Sequence, residues 1–198
     1  VGSTSSFTAS ANDAAITLST TTNALTGNVT VSSQGTTGHV TIDNGTTALG
    51  VQGTANGNLA LTSGDAITDS AALTVSGTTT VTTDVANKTI TLGTLASTGD
   101  VSLNSSGTTG NAVVNNTTTA LGLAASTIGG TLTAETDNSI TVNGTVTSAG
   151  TTSVSASDDV IFAAAGALAS GNGNITVTAD DDNTPAGAGG AITMADGS

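Results

Sequence analysis

The chain contains a long internal repeat. The segment TGNVTVSSQGTTGHVTIDNGTTALG, which starts at Thr26, returns from Thr98 as TGDVSLNSSGTTGNAVVNNTTTALG. After one inserted residue the match between the two copies continues, and a third copy opens at Gly173 with GNITV. A repeat of this kind indicates stacked units, because each unit can bury its apolar residues only against a neighbour with the same pattern.

Within each unit the chain alternates apolar and polar residues in short runs such as NVTV, NLAL and NITV. A period of two places Val29 and Val31 on one face of a strand and Thr30 on the other. Helix is disfavoured, because Val, Ile and Thr lose side-chain freedom there and glycine adds a backbone entropy cost. The separators SSQGTTG, TSGD and NSSGTTG are rich in turn-forming residues. The runs therefore predict short β-strands joined by tight corners.

The spacing of the runs predicts how the strands are wound. We take as the first strand of each coil the runs near Val29, Leu59, Val81, Val101, Leu132, Val154 and Ile175. A long interval is followed by two shorter ones, and this order repeats from Val101 onward. We interpret each unit as three coils of about 24 residues with about three short strands per coil, the first coil carrying an extra loop. The prediction is an all-β fold, a parallel β-solenoid with coils stacked at roughly 4.8 Å.

We expect residues 1–198 to form a single solenoid domain. Its long repeats cover approximately 27–98 and 99–172, with a partial repeat at 173–198 and a partial preceding coil at 1–26. The residues predicted to point inward in stacked columns are Val29, Val31, Val40, Leu59, Leu61, Val81, Ile90, Val101, Leu103, Leu132, Ile140, Val154, Ile175 and Val177.

Composition excludes several classes of partner. Lys88 is the one basic residue against 14 acidic residues, for a formal net charge of −13. Nucleic-acid binding requires clusters of Lys or Arg, so we expect no nucleic-acid partner. No apolar run approaches the roughly 20 residues that span a bilayer, and the opening VGSTSSFTAS does not resemble a signal peptide. We therefore expect no membrane insertion.

Catalytic chemistry finds little support in the sequence. His39, in TGHVTID, is a candidate general base or metal ligand, but its counterpart in the next copy is Asn111. We therefore interpret His39 as a solvated residue of a strand. Phe7 and Phe162 are the only aromatic residues, so the stacking platforms of carbohydrate-cleaving solenoids are missing. We expect that the protein is not an enzyme.

The acidic segment TADDDNTPAG is the best candidate ligand site. Asp180, Asp181 and Asp182 offer the oxygen ligands that Ca²⁺ prefers, although the spacing is not that of an EF-hand. The pair Asp158 and Asp159 is a weaker candidate of the same kind. A solvated acidic loop remains the alternative, and no other cofactor is predicted.

Ice binding is a second alternative, because it requires Thr-x-Thr at the same place on successive coils. The outward pairs of the seven first strands are Asn28/Thr30, Asn58/Ala60, Thr80/Thr82, Asp100/Ser102, Thr131/Thr133, Ser153/Ser155 and Asn174/Thr176. Only two of these seven are threonine pairs, so ice binding is a minor alternative.

The phrases TTALGL, GDAITDSAALTVSGTTTVTT and GNITVTADDDNTPAGAGGAITMADGS resemble the repeat region of large bacterial haemagglutinin-like exoproteins, of the filamentous-haemagglutinin and two-partner-secretion type. The resemblance covers nearly the whole chain. It implies a right-handed parallel β-helix at the bacterial cell surface or in the medium, acting as an adhesin, a fibre or a stalk.

From these observations we expect a structural segment of a secreted or cell-surface adhesin or filament. The alternative is a ligand-binding solenoid, either ice-binding or a Ca²⁺-dependent adhesion module. Neither end of the sequence has an evident cap, so we expect coils to stack head-to-tail on neighbouring copies or on the rest of a longer chain. The register supports this expectation, because Phe7 of a second copy would follow Ile175 at the interval that separates Val29 from Leu59. The sequence does not identify a receptor.

Overall fold

The computed structural model describes residues 3–181 and 190–196, and every regular element in these ranges is a β-strand. The strands up to Ser97 are β1 (Ser5–Asn12), β2 (Ile16–Leu18), β3 (Val29–Gln34), β4 (Val40–Asp43), β5 (Leu49–Ala55), β6 (Leu59–Ser63), β7 (Ile67–Val75), β8 (Thr79–Thr83), β9 (Ile90–Leu92) and β10 (Leu95–Ser97). The strands that follow are β11 (Val101–Asn104), β12 (Ala112–Asn115), β13 (Leu121–Leu123), β14 (Ser126–Ile128), β15 (Leu132–Thr136), β16 (Ile140–Val142), β17 (Thr145–Ser148), β18 (Thr152–Ala156), β19 (Val160–Phe162), β20 (Ala167–Ser170), β21 (Ile175–Ala179) and β22 (Ile192–Met194).

All described strand pairs are parallel, and the strands form two hydrogen-bonded sheets. The ten-stranded sheet follows the order β1-β3-β5-β7-β9-β12-β15-β18-β21, with β10 paired to β7. The twelve-stranded sheet follows β2-β4-β6-β8-β11-β13-β16-β19-β22, and β14, β17 and β20 branch from it. The chain makes about eight turns with about 22 residues per turn. This confirms the predicted all-β parallel β-solenoid. The right-handed winding stays a prediction.

The coils that begin at β9, β12, β15 and β18 contain three strands each, which gives three faces. In the preceding coils the long strands β5 and β7 each cover two faces. Ile67 at the start of β7 pairs with Ile90 of β9, whereas Leu73 near its end pairs with Leu95 of β10. We number the faces first, second and third in the order in which the chain visits them from β9 to β11.

The interior contains Val, Ile, Leu and Ala from every coil between Ile16 and Phe162. Twelve of the fourteen residues predicted to point inward are buried. The other two belong to β21, where Ile175 is 43 % exposed and Val177 is half-buried. They differ because β21 is the last strand of its stack among the described residues, so nothing described packs on its far side.

The long repeat does not match a whole number of turns. β3 belongs to the ten-stranded sheet, but β11, which contains its counterpart Val101, belongs to the twelve-stranded sheet. The counterparts of β4, β6 and β8 are β12, β15 and β18, and each has likewise changed sheet. The second unit contains ten strands, β11 to β20, and three strands complete a coil. One unit therefore covers three coils and one further face.

This geometry changes the interpretation of the long interval between Val29 and Leu59. Val29 pairs with Val51 one turn later, and Leu59 lies on the following face, where it pairs with Val40. The interval is therefore one coil plus one face. The coils are also shorter than the predicted 24 or so residues, at about 22 residues per turn. Three coils therefore do not account for all the residues of one repeat unit.

Candidate functional site

Side chains at the corners of the rod accept hydrogen bonds from the next coil. The Asp13 carboxylate accepts from the backbone N–H groups of Thr36 and Thr37, both at 2.8 Å. Asn87 lies at the corresponding corner of the next unit, where its Oδ1 accepts from the N–H of Thr109 at 3.1 Å. Both acceptors have a positive φ, 62° for Asp13 and 66° for Asn87. Aspartate and asparagine therefore have the same structural role here, which is to accept a hydrogen bond from the backbone of the next coil.

Asp69 makes the same kind of contact on β7. Its Oδ1 accepts from the N–H of Gly93 at 2.8 Å, and its Oδ2 accepts from the N–H of Thr94 at 2.6 Å. The carboxylates of Asp13 and Asp69 are thus engaged by backbone donors, which leaves them fewer free lone pairs for a ligand.

His39 lies just before β4 and is exposed, and its ring has a structural partner. The Nδ1 atom accepts a hydrogen bond from the N–H of Asn58 on the next coil, at 2.9 Å. Its counterpart Asn111 accepts from the N–H of Thr131 through Oδ1, also at 2.9 Å. The histidine and the asparagine therefore satisfy the same backbone group, which explains why one replaces the other. The prediction that His39 is a solvated strand residue is correct in its exposure but missed this contact.

The predicted Ca²⁺ ligands Asp180 and Asp181 lie just beyond the end of β21, whereas Asp182 lies outside the described residues. The Asp181 carboxylate accepts hydrogen bonds from Ser155 Oγ at 2.6 Å and Ser157 Oγ at 2.9 Å, on the preceding coil. In residues 3–181 and 190–196, no three Asp, Glu or His side chains are grouped closely enough to hold a metal ion. Because Asp182 is not described, the Ca²⁺ site stays a prediction.

The weaker acidic pair also makes a structural contact. Asp159 Oδ1 accepts from the N–H of Ala191 at 2.9 Å and so joins β19 to the segment before β22. Asp159 is thus another corner acceptor for the next coil.

Two carboxyl groups have a lowered pKa. The pKa of Asp13 is lowered mainly by the hydrogen bond from the Thr37 backbone, with further contributions from the Thr37 side chain and the Thr36 backbone. The pKa of Asp65 is lowered first by the hydrogen bond from Lys88 and then by the N–H of Ala66. The Lys88–Asp65 ion pair measures 2.9 Å and is partly exposed. Solvent screening limits its contribution to stability to roughly 1 kcal/mol at most.

Strands β2, β4, β6, β8 and β11 are paired in this order and form one face of the rod. Ice binding would require threonine pairs at matching outward positions of these strands. One outward row, in register from coil to coil, contains Thr17, Thr41, Ala60, Thr80 and Ser102. The second row of β4 to β11 contains Asp43, Thr62, Thr82 and Asn104. Along these two rows only β8 carries a threonine pair, so no regular Thr-x-Thr array is present there.

Two apolar depressions lie on the described surface. The first, of about 320 Å³, is at the end of the rod and is lined by Phe162 and Leu168 of one coil and by Met194 of the next strand, among others. The second, of about 480 Å³, lies along a corner where Gly129, Ala149 and Gly171 stack beneath residues 105–108. The first lies where the solenoid core ends among the described residues, so it belongs to that core rather than to the wall of the rod.

Comparison with known proteins identifies the family at the level of its repeats. The family model DUF5649, described as repeats of unknown function, matches residues 37–104 and again 109–178. The two matches cover more than half of the chain and begin at equivalent positions of the two copies, so the chain belongs to this family of repeats, which here form a β-solenoid. No curated protein and no solved structure matches the chain. Within the described residues, no helix is long and apolar enough to cross a membrane.

Proposed function

We propose that the protein is a structural rod, a β-solenoid segment of a secreted or cell-surface adhesin or extracellular filament. The observation that carries this proposal is the unbroken core. Apolar side chains from Ile16 to Phe162 stack through the coils, and in the described part of the chain no buried side-chain N or O atom lacks a hydrogen-bond partner. About eight coils at roughly 4.8 Å give a stiff element about 40 Å long.

The surface supports the same proposal. Three of the candidate residues, His39, Asp159 and Asp181, are engaged in hydrogen bonds between coils. Their contacts stabilise the stacking of the rod. The repeat style resembles that of filamentous-haemagglutinin-like exoproteins, and this resemblance is the ground for placing the rod at the outer surface of a bacterium.

Immunogold electron microscopy of intact cells that produce the protein tests this location. Antibodies raised against the chain should label the outer surface or filaments extending from it, without permeabilisation. Labelling that appears only after permeabilisation, and then in the cell interior, would refute the extracellular part of the proposal.

We expect no catalytic turnover from this rod. His39→Ala and Asp181→Ala should leave its fold and its length intact. Turnover of a polysaccharide by the purified chain, lost on either substitution while the circular-dichroism spectrum is unchanged, would show instead that the protein is an enzyme.

The exposed apolar side chains at the end of the rod indicate what kind of partner would bind there. Ile192 is 52 % exposed and Met194 is 65 % exposed, although both continue buried columns of the preceding coil through Val160 and Phe162. In the described part of the chain no strand pairs with the far edge of β21 or β22, so these edges and side chains fit another coil of the same kind. Such a contact is heterologous, so in a second copy it would generate an open filament rather than a closed ring.

Sedimentation velocity of the intact chain over a range of concentrations tests stacking between copies. Ile192→Glu places a charge in the contact and should shift the chain to monomers. Thr193→Glu is the matched control, since Thr193 continues the outward position of Ile161 on the neighbouring strand. Monodisperse short rods of the unmodified chain at high concentration would rule out self-assembly of this chain.

A further inference from the structure

We infer that surface features repeated once per unit are presented on all three faces of the rod in rotation. The rod therefore fits discrete partners that each bind one unit from a different side. A flat lattice, or a second rod lying alongside, cannot contact these features on successive units, because the features face different directions. The inference concerns the surface of the rod and holds independently of where the protein is located.

The change of sheet between equivalent strands carries this inference. Thr41 is an outward residue of β4 on the third face, where it pairs with Ala60 of β6. Its counterpart in the second copy is Val113, an outward residue of β12 on the first face, which pairs with Thr133 of β15. Ser102, in contrast, lies on the same face as Thr41, three strands further along the stack. Equal positions in the repeat thus point in different directions.

The loops of the repeat show that this rotation preserves local structure. Ser33 Oγ donates to the carbonyl of Gly38 at 2.6 Å, and Ser105 Oγ donates to the carbonyl of Gly110 at 2.5 Å. The turn glycine of each loop has a similar positive φ, 82° in the first copy and 80° in the second. The two loops are therefore the same surface element in the same conformation.

These equivalent loops leave the rod at different corners. The first connects β3 to β4, between the second and third faces, and the second connects β11 to β12, between the third and first faces. The first loop exposes Thr36, and the second exposes its counterpart Thr108. A partner that contacts one loop from one side therefore does not meet the next loop on that side.

In an array of such units, the same loop returns to one corner only after three units, or ten coils. At roughly 4.8 Å per coil this is a spacing of about 48 Å, compared with about 16 Å between successive units. A planar partner can contact the loop of only every third unit. Small partners that bind independently can contact the loop of every unit. This distribution also argues against ice binding through a repeated motif, because that function needs the motif on one flat face.

Distance measurements on the intact chain test the rotation. The chain has no cysteine, so paired substitutions introduce unique labelling sites. Nitroxide labels on Thr41→Cys/Ser102→Cys should be about 14 Å apart, three strand spacings, and should show strong dipolar broadening in electron paramagnetic resonance. Labels on the repeat-equivalent pair Thr41→Cys/Val113→Cys should lie a face apart, roughly 20 Å or more, and should show little or no broadening.

The shared Thr41 label makes the two pairs directly comparable, and singly labelled variants correct for local mobility. A second comparison sets the loop pair Thr36→Cys/Thr108→Cys against the same-face pair Thr17→Cys/Thr80→Cys. We expect the longer distance for the loop pair. Equal short distances for the repeat-equivalent and same-face pairs would overturn the inference, since they would place successive units on one face.

Discussion

Asn44 and Asn116, which occupy equivalent positions in the two copies, make the same set of hydrogen bonds on different faces of the rod. Each side chain is fully buried, and its Oδ1 accepts the N–H of a residue on the preceding coil, Leu25 at 2.8 Å or Ser97 at 2.7 Å. The Nδ2 of Asn44 donates to the carbonyls of Leu25, Thr47 and Ala48, and that of Asn116 donates to Ser97, Thr119 and Ala120. Each asparagine thereby fastens one corner to the coil before it.

Replacement of this amide by a carboxylate should be strongly destabilising. Asn116→Asp removes the donor and places a buried charge against three carbonyl oxygens, so we expect a loss of about 3 kcal/mol or more. Asn115→Asp is the matched control, because Asn115 Oδ1 accepts from the N–H of Thr117, which a carboxylate also does. Urea denaturation monitored by circular dichroism should separate the two variants, and an equal loss for both would contradict this role of Asn116.

Gly53 and Gly93 should respond to alanine in opposite directions. Gly53 has φ of 109° and lies against the backbone of Val31, so a Cβ there would overlap the Val31 carbonyl oxygen. Gly53→Ala should cost about 1–3 kcal/mol. Gly93 has open space around its Cβ position, so Gly93→Ala should be neutral or stabilising by about 0.5 kcal/mol. Thermal or urea unfolding of both variants checks the prediction, which fails if Gly53→Ala is tolerated as well as Gly93→Ala.

Asp13 should make stability depend on pH in the acid range. Its pKa in the folded chain is below the ordinary value of 3.8. Its contribution is therefore complete above the unfolded pKa and is lost as the pH falls through the folded pKa. As the pH falls from about 5 to about 2, we expect the free energy of unfolding to decrease more for the wild type than for Asp13→Asn.

Asparagine is a suitable replacement because Asn87 makes the equivalent contact with similar backbone geometry. The comparison between wild type and variant also cancels the general effect of neutralising an acidic chain. Urea midpoints measured across the pH range should converge at low pH. Parallel curves for the two proteins would show that the Asp13 carboxylate is not coupled to folding.

His39→Asn should preserve the stability of the chain, whereas His39→Ala should lower it while leaving the fold intact. His39→Asn provides the acceptor that Asn111 provides in the next unit, so its stability should stay within about 0.5 kcal/mol of the wild type. His39→Ala leaves the N–H of Asn58 without its partner and should cost about 0.5–1.5 kcal/mol. Unfolding curves near neutral pH measure both values, and a tolerated His39→Ala would reduce the ring to a solvated side chain.

The strands could be predicted from local pattern alone. The alternation in NVTV and NLAL places β3 and β6 correctly, because apolar residues at a period of two must share one face of a strand. The short strand β14, Ser126–Ile128, was missed, since its inward residues Ser126 and Ile128 do not form an apolar run.

The winding could be predicted only in outline, because a sequence repeat reports similarity rather than position in space. Val29 and Val101 have similar neighbours in sequence, which predicts that both start a coil. In the structure they lie in different sheets, because the repeat unit is longer than three turns of about 22 residues. The corner contacts of Asp13 and His39 were likewise missed, since their partners are backbone groups, which carry no signature in the sequence.

Six corner acceptors share one direction along the chain, opposite to that of Asn44 and Asn116, which accept from the preceding coil. Asp13, His39, Asp69, Asn87, Asn111 and Asp159 all accept from backbone N–H groups that lie 19 to 32 residues later in the sequence. A coil that has already folded therefore presents hydrogen-bond acceptors to the segment that forms the next coil. Growth from the amino-terminal end can proceed one coil at a time, each new coil templated by the last, with only a short loop to close at every step. Such a rod is suited to folding in the order in which its residues emerge from a ribosome or a narrow pore.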